Sequence, residues 1–408
     1  MKEKKLIFNT LYLYILSIIK MIFPLLTLPY LTRILTVETY GVVVYVKAYM
    51  SYIQLILDYG FLFSATKNIA IAYNNKNSKQ IEYILGNTII EKIILCFFSL
   101  IITFFLSNFI PILKENLLFI WLYFFAISLS IFITDFLFRG IEKMEYITVP
   151  FVCAKAIFTA LTFILIKNDK DLLLIPILEI ISNIIIVIIS ILIIRKLKIH
   201  FKFQNLKKWI EDLKHSGLYF LSNFATTIFG SLTTLIIGIV MSSKEVAFWS
   251  ISMQIVGVAK SMYTPICNSI YPYMIIKKNI KIIKKIQLLM LFPMIIGTIV
   301  VLFYGERIMS FIGGTNYKDA GYVLKFLLPT IIVSFYSMLY GWPVLGALGR
   351  VKETTFSTII AACIQLIGII FIYKLNLFSL KSLAISCNIS ESFLLIIRWK
   401  YFKSYIKK

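Results

Sequence analysis

"KMIFPLLTLPYLTRIL" (residues 20–35) is apolar enough to enter a lipid bilayer, yet it carries a lysine, two prolines and an arginine. Its surroundings decide how that mixture is read. Apolar runs of this kind recur along the whole 408-residue chain, which is 60% hydrophobic with a mean hydropathy of +0.88. A soluble globular chain is about 45–50% apolar, and one or two ordinary cores cannot hide the excess. The pattern is that of an all-α polytopic membrane protein. The first run follows only "MKEKK", contains Lys20 and has no small-residue cleavage site. It reads as a first spanning helix and not as a removable signal peptide.

Twelve spans are expected, at residues 9–34, 41–66, 82–107, 117–138, 147–167, 172–194, 216–241, 246–274, 286–304, 320–344, 355–373 and 379–398. Each is near the roughly 20 residues that a bilayer requires. The connectors alternate in charge. With charges at span ends counted with the adjoining loop, the N-terminus, even-numbered loops and C-terminal tail hold 27 Lys and Arg against 7 Asp and Glu. The opposite loops hold 9 against 7, and the spans 6 against 5. The positive-inside rule then makes both termini cytoplasmic. The net charge of +23 is thus a topology signal directed at anionic lipid heads, and nucleic acid is not an expected partner.

The longest basic connector, "RKLKIHFKFQNLKKWIEDLKHS", separates spans six and seven. Phe203, Leu206, Trp209, Ile210 and Leu213 share one helical face, opposite Lys207, Lys208, Glu211 and Asp212. This is the pattern of an interfacial amphipathic helix. It implies an N-terminal lobe of six spans (1–195), a cytoplasmic connector (196–215) and a C-terminal lobe of six spans (216–408). A short internal repeat agrees: "IFPLLTL" (22–28) matches "IFGSLTTL" (228–235) with one insertion, and a glutamate follows in each half, Glu38 and Glu245. Many transporters are built from two such halves, here expected to be related by a pseudo-two-fold axis.

Chemistry has to reside in the helices, because no loop is long enough for a domain. Six lysines fall inside spans: Lys20, Lys47, Lys92, Lys155, Lys260 and Lys325. A charge at the bilayer centre costs about 2.5–3.5 kcal/mol, so six in lipid would cost roughly 15–20 kcal/mol, more than a typical folding stability. Some snorkel, some pair with acids and some line water. Lys92 and Lys155 are expected to pair or snorkel, and Lys325 to snorkel. Ser17, Lys20, Pro24 and Thr27 form one helical stripe, and Lys47, Ser51, Gln54 and Asp58 form another. Asn223, Thr227, Gly230 and Thr234 form a third in span seven. In span eight Gln254, Gly257, Ser261, Thr264 and Asn268 form a fourth, flanked by Lys260. These are the first two spans of each half. The simplest arrangement turns their polar faces toward one wet, anion-attracting cavity, although such stripes also serve helix packing. Lys20, Lys47, Lys260, Gln54, Asn223 and Gln254 are therefore the candidate substrate contacts. Of the buried acids, Asp58 and Glu179 are candidates for binding a coupling proton or sodium ion. Asp135 is expected to pair with Arg139 four residues on. Arg33 is expected to anchor at the outer interface, and Pro24 to bend the first helix toward the cavity.

Enzyme and cofactor signals are absent. The sequence has no HExxH, no GxSxG and no Walker motif, and "DKD" (Asp169–Asp171) sits in a very short loop with no nucleotide-binding domain. The five cysteines lie in apolar runs without metal spacing, and His200 and His215 are isolated in the connector.

"PLLTLPYLTRIL", "ETYG" and "DYGF", then "FRGIEKM", then "FIGGTNYKDAGYVLKFLLPT" and "LGALGRVKE" together resemble bacterial polysaccharide flippases of the Wzx type. The resemblance implies the fold of the multidrug/oligosaccharidyl-lipid/polysaccharide transporter superfamily and a non-enzymatic role. It implies translocation of an undecaprenyl-pyrophosphate-linked oligosaccharide from the cytoplasmic to the outer leaflet of the bacterial inner membrane, for O-antigen, capsule or another surface glycan. Lys20, Lys47 and Lys260 match in position the cationic residues that related lipid flippases use on helices one, two and eight. Lysine offers a point charge where arginine would offer a fork. The expected partners are the lipid-linked oligosaccharide, membrane lipids, a coupling ion and a polysaccharide polymerase. The rival readings are a drug exporter of the same fold and a membrane glycan polymerase or ligase.

Overall fold

The computed structural model describes residues 2–277 and 280–406, and among these every regular element is helical. Among the described residues, ten helical stretches, some with a short interruption, are long and apolar enough to cross a membrane. The chain forms two compact units, Met1–Phe224 and Ala225–Lys408.

The first unit holds α1 (Lys2–Ile34), α2 (Val37–Asp58), α3 (Phe61–Asn74), α4 (Ser78–Phe109), α5 (Pro111–Glu115), α6 (Leu117–Ser128), α7 (Asp135–Gly140), α8 (Glu145–Leu165) and α9 (Leu174–Lys196). It also takes the start of α10 (Leu206–Val240), which carries the chain into the second unit. The second unit adds α11 (Ser243–Lys277), α12 (Ile280–Gly313), α13 (Ala320–Leu339), α14 (Val351–Lys374) and α15 (Leu380–Ile406). α10 and α11 occupy the places of the expected spans seven and eight.

The C-terminal half of α4 turns polar groups inward and apolar groups outward. On α4, Ser99, Thr103 and Ser107 recur at four-residue spacing and are buried, while Phe97, Phe98, Phe104 and Phe105 are all more than half exposed. A soluble helix shows the reverse. The inversion fits a hydrocarbon surround, in which inward hydroxyls satisfy one another: Tyr49 Oη donates to Thr103 Oγ1 at 3.0 Å. At 32 residues α4 is about 48 Å long, so its first turns stand clear of a hydrocarbon layer of about 30 Å.

Local chemistry sets the helix boundaries. Thr36 caps α2 and Asn77 caps α4, each side chain accepting from a backbone N–H three residues on. The single span expected over 41–66 is broken into α2 and α3 at Tyr59–Gly60, both of which have positive φ. Gly60, at φ 80°, is required twice over: a Cβ there would stand 2.6 Å from Tyr219 Cβ and 2.8 Å from the Ser216 carbonyl. The break ends α2 at Asp58 and fixes where that carboxylate points. α13 likewise gives way to a wide turn at Tyr340–Gly346, around Pro343 and the non-helical Gly341.

The connector differs from expectation. Residues 200–205 run without regular structure across α4, and the amphipathic segment is the N-terminal part of α10, with no separate helix. Residues 200–204 are strapped to α4. Glu82 accepts from His200 N at 3.2 Å and pairs with Lys202 Nζ at 2.6 Å, which holds that ammonium above its usual range. Asn87 Nδ2 donates to Gln204 Oε1 at 2.8 Å, and Asn87 Oδ1 accepts from Gln204 N at 2.9 Å and Trp209 Nε1 at 3.2 Å. Gly86 lies beneath the strap, where a Cβ would meet the Lys202 carbonyl oxygen at 2.0 Å. Leu206 and Ile210 stay exposed, as an interfacial helix requires.

Candidate functional site

In the first unit, six helices aim charged side chains into one cavity of about 350 Å³. α1 supplies Lys20, α2 supplies Gln54 and Asp58, and α4 supplies Lys92. α7 adds Asp135 and Arg139, α8 adds Lys155, and α9 adds Glu179 and Asn183. Four cations thus face three carboxylates.

Two ion pairs close inside this cluster. Lys92 Nζ donates to Asp58 Oδ1 at 3.0 Å, and Gln54 Nε2 donates to the other oxygen, Oδ2, at 2.9 Å. Lys155 pairs with Glu179. The cations also lie against ring faces: Lys92 over Phe136 at 5.9 Å and Lys155 over Phe158 at 5.0 Å. These contacts account for two cations and two acids. Lys20, Arg139 and Asp135 remain. Lys20 is exposed, makes no ion pair among the described residues, and rests 5.1 Å from the centre of the Phe151 ring. Arg139 has a buried Nε with no hydrogen-bond partner. The cavity therefore presents a net positive charge, with one accessible lysine and an unsatisfied guanidinium nitrogen. That is the electrostatic form of an anion site.

The second unit contains another buried polar chain. Lys260 Nζ pairs with Glu391 Oε2 at 3.0 Å, and Ser337 Oγ donates to Glu391 Oε1 at 2.5 Å. Arg398 donates from Nη1 to the Ser337 carbonyl at 2.6 Å, from Nε to Ser357 Oγ at 3.1 Å and from Nη2 to Thr358 Oγ1 at 3.0 Å. These bonds tie α11, α13, α14 and α15 together.

A charged cavity set in apolar-faced helices narrows the chain to transport-like families, and comparison with known proteins decides among them. The model of one family, described as polysaccharide biosynthesis protein, matches residues 6–276. The chain belongs to this family. It is 25% identical over 406 residues to a putative O-antigen transporter of Escherichia coli (strain K12), covering 96% of each chain. It is 28% identical over 374 residues to a putative O-antigen transporter of Shigella dysenteriae, covering 88% of this chain and 91% of the relative. Among solved structures, its fold is similar to an inward-facing multidrug resistance MATE family transporter of the MOP superfamily, with a TM-score of 0.73, 12% identity and coverage of 97% and 98%. It is equally similar to the lipid II flippase MurJ in an inward closed conformation, with a TM-score of 0.73, 13% identity and coverage of 97% and 87%. This polysaccharide biosynthesis protein is thus a multi-pass inner-membrane protein with a transporter fold, and the family resemblance read from its sequence holds.

The family member's structure sorts the expected site residues. Lys20, Gln54, Asp58 and Glu179 share the first-unit cavity. Lys47 does not line it; its side chain is exposed, within electrostatic reach of Glu179 and Lys155. Lys260 lies in the second unit and is paired with Glu391. Asn223 on α10 and Gln254 on α11 are half-buried, and neither lines this cavity. The side chains of Asn268 and of Ile228 and Phe229 in the repeat lie outside the described residues, as does the surface environment of Gly230. The expected Asp135–Arg139 ion pair is absent among the described pairs. α7 is only six residues long, and both side chains turn into the shared cavity without closing on each other. Lys325 does not simply snorkel, since its Nζ lies 3.5 Å from Glu306 Oε1 on α12. Sequence reasoning missed Arg139 and Asp135 as cavity residues and left Lys92 and Lys155 out of the site. The available signal was a cation and an acid placed at similar depth in separate spans.

Proposed function

We propose that the protein is a flippase that moves a lipid-linked oligosaccharide across the inner membrane for surface polysaccharide biosynthesis, with an undecaprenyl pyrophosphate carrier. The observation that carries this reading is the net-positive cavity of the first unit, with Lys20 accessible and Arg139 incompletely bonded. A pyrophosphate is the part of such a cargo that a cationic, water-filled recess recognises, and the polyprenyl chain stays in lipid. The O-antigen transporter relatives and the fold shared with a lipid II flippase support the same substrate class. A drug exporter would be expected to use a more acidic or aromatic cavity.

Twelve spans, two lobes of six and cytoplasmic termini form the architecture of this proposal, supported by the charge alternation of the loops. Transport proceeds by alternating access. Lys47 and Lys260 extend the cationic path, and Asn223 and Gln254 offer hydrogen bonds to sugar. The coupling ion acts at Asp58 or Glu179. Neutralising either carboxylate releases its partner, Lys92 or Lys155, toward the anionic cargo. The membrane potential contributes about 2.3 kcal/mol per charge per 100 mV to the return of an empty cationic cavity. A polysaccharide polymerase would receive the product. The test is replacement of Lys20 by alanine, with surface polysaccharide measured in cells at matched protein expression. A strong loss is expected; undiminished polysaccharide would remove Lys20 from the cargo path.

A further inference from the structure

A second cavity of the first unit, about 520 Å³, lies between α3, α4 and the start of α10, beside the strap of residues 200–204. It shares no residue with the charged cavity. Its volume falls within the roughly 300–1,000 Å³ of small-molecule sites. Its walls carry carboxyl, carboxamide, phenol, imidazole, hydroxyl and ammonium groups, among them Glu91, Asn68, Gln80, Tyr83, His215 and Lys79. Apolar patches of Phe61, Ala65 and Ile84 interrupt them.

Glu91 makes this a built site. It is 1% exposed, lines the cavity, and its Oε1 has no hydrogen-bond partner. It forms no ion pair among the described residues. Of the other charged groups here, Lys208 pairs with Asp212 at 3.1 Å and with Glu211 at 3.5 Å, and Lys79 stands at the exposed rim. Asn87 is held by Gln204 and Trp209. Ser64 and Ser216 hydrogen-bond each other at 2.7 Å. A buried acceptor left open costs free energy unless a ligand supplies its donor.

The missing donor identifies the ligand class. An anion gains little here, because Lys79 and Lys208 in the lining are balanced by Glu91 and Asp212, in contrast to the net-positive cavity. A divalent metal is disfavoured because the described residues contain no cluster of three or more metal-ligating His, Cys, Asp or Glu. A polyhydroxylated ligand suits every group present. Its hydroxyls donate to Glu91 and both donate to and accept from the amides and Tyr83, while its C–H face meets the apolar patches. We propose that this pocket binds a sugar residue of the lipid-linked glycan and selects cargo before translocation. The proposal rests on the flippase reading above, in which the connector and the start of α4 are cytoplasmic, so the pocket opens where the glycan waits. Because Asn87 lines the pocket and also fastens the strap, an occupied pocket and a fastened strap share one side chain.

The test uses the full-length protein in nanodiscs. The probe is the free oligosaccharide released by mild acid from the source cell's own lipid-linked pool, so the correct sugar is present. Binding is followed through Trp209 fluorescence, with Trp209→Phe removing the signal, and independently by calorimetry. Wild type is expected to bind the oligosaccharide. Glu91→Met, which keeps much of the volume but removes the carboxyl group, is expected to bind about ten- to a hundred-fold more weakly. Asn68→Leu is expected to weaken binding as well, and Lys20→Ala to leave it unchanged. No binding by wild type, or equal binding by both pocket variants, overturns the proposal. So does a signal that sodium or ammonium produces in place of the glycan. If the intact lipid-linked cargo is still flipped in liposomes, only the pocket assignment falls; if it is not, the flippase reading falls with it.

Discussion

The Lys92–Asp58 pair makes a prediction whose sign depends on which partner is removed. The Lys92 side chain is 5% exposed and the Asp58 side chain 44% exposed. Asp58→Ala takes the paired carboxylate from a buried ammonium that otherwise rests over the Phe136 ring. Removing one partner of a buried pair costs about 3–5 kcal/mol, because an uncompensated charge stays behind. Lys92→Met fills much of the same volume and leaves a half-exposed carboxylate that still accepts from Gln54. Its cost is about that of one charge-assisted hydrogen bond, roughly 1.5–3 kcal/mol at most. The double variant Asp58→Ala/Lys92→Met is expected to be close to Lys92→Met alone, giving a coupling energy that cancels most of the Asp58→Ala penalty. Unfolding of the purified protein in mixed micelles, compared across the four forms, measures all three quantities. The reasoning is refuted if Lys92→Met is the more destabilising single change, or if the two single effects simply add.

Three further outcomes follow from other contacts. Gly86→Ala forces the strap off α4, because the new Cβ would stand 2.0 Å from a backbone oxygen; trypsin cleavage at Lys202 should accelerate several-fold, while a conservative change at exposed Lys207 leaves it unaltered. Glu391→Ala strands Lys260 and frees Ser337 in the second unit, and should cost about 3–5 kcal/mol in the same unfolding assay, with Glu391→Gln milder. Gly60→Ala meets both the positive φ and the α10 backbone; yield of folded protein by size exclusion should fall sharply, and wild-type yield would contradict the account of the α2–α3 break.

The membrane fold was readable in the sequence because hydropathy reports burial in lipid directly, and ten of the expected spans are matched, among the described residues, by helical stretches long and apolar enough to cross. The stripe on α2 was legible for the same reason: Gln54 and Asp58 lie one turn apart and do hydrogen-bond. Periodicity cannot say which helix stands opposite. Lys92 meets Asp58 across 34 residues, and Lys155 meets Glu179 across 24. Local spacing therefore showed cations in need of partners without naming them. The Tyr59–Gly60 break escaped notice because a glycine is also tolerated inside spanning helices. The amphipathic connector was visible as a pattern, but its continuity with α10 was not, since Ser216 and Gly217 at the junction are residue types that often mark a helix end, and α10 runs through them.

The central claim is that a net-positive cavity containing Lys20 carries the anionic head of a lipid-linked glycan. Its most direct test is flipping of a defined undecaprenyl-pyrophosphate-linked oligosaccharide in proteoliposomes by wild type and by Lys20→Ala. Lys20 is exposed and makes no ion pair among the described residues, so the variant should fold and unfold like wild type. Loss of one charge-assisted contact to phosphate predicts a rate lower by about ten- to a hundred-fold. Equal rates for the two proteins, or no flipping by wild type, would contradict it.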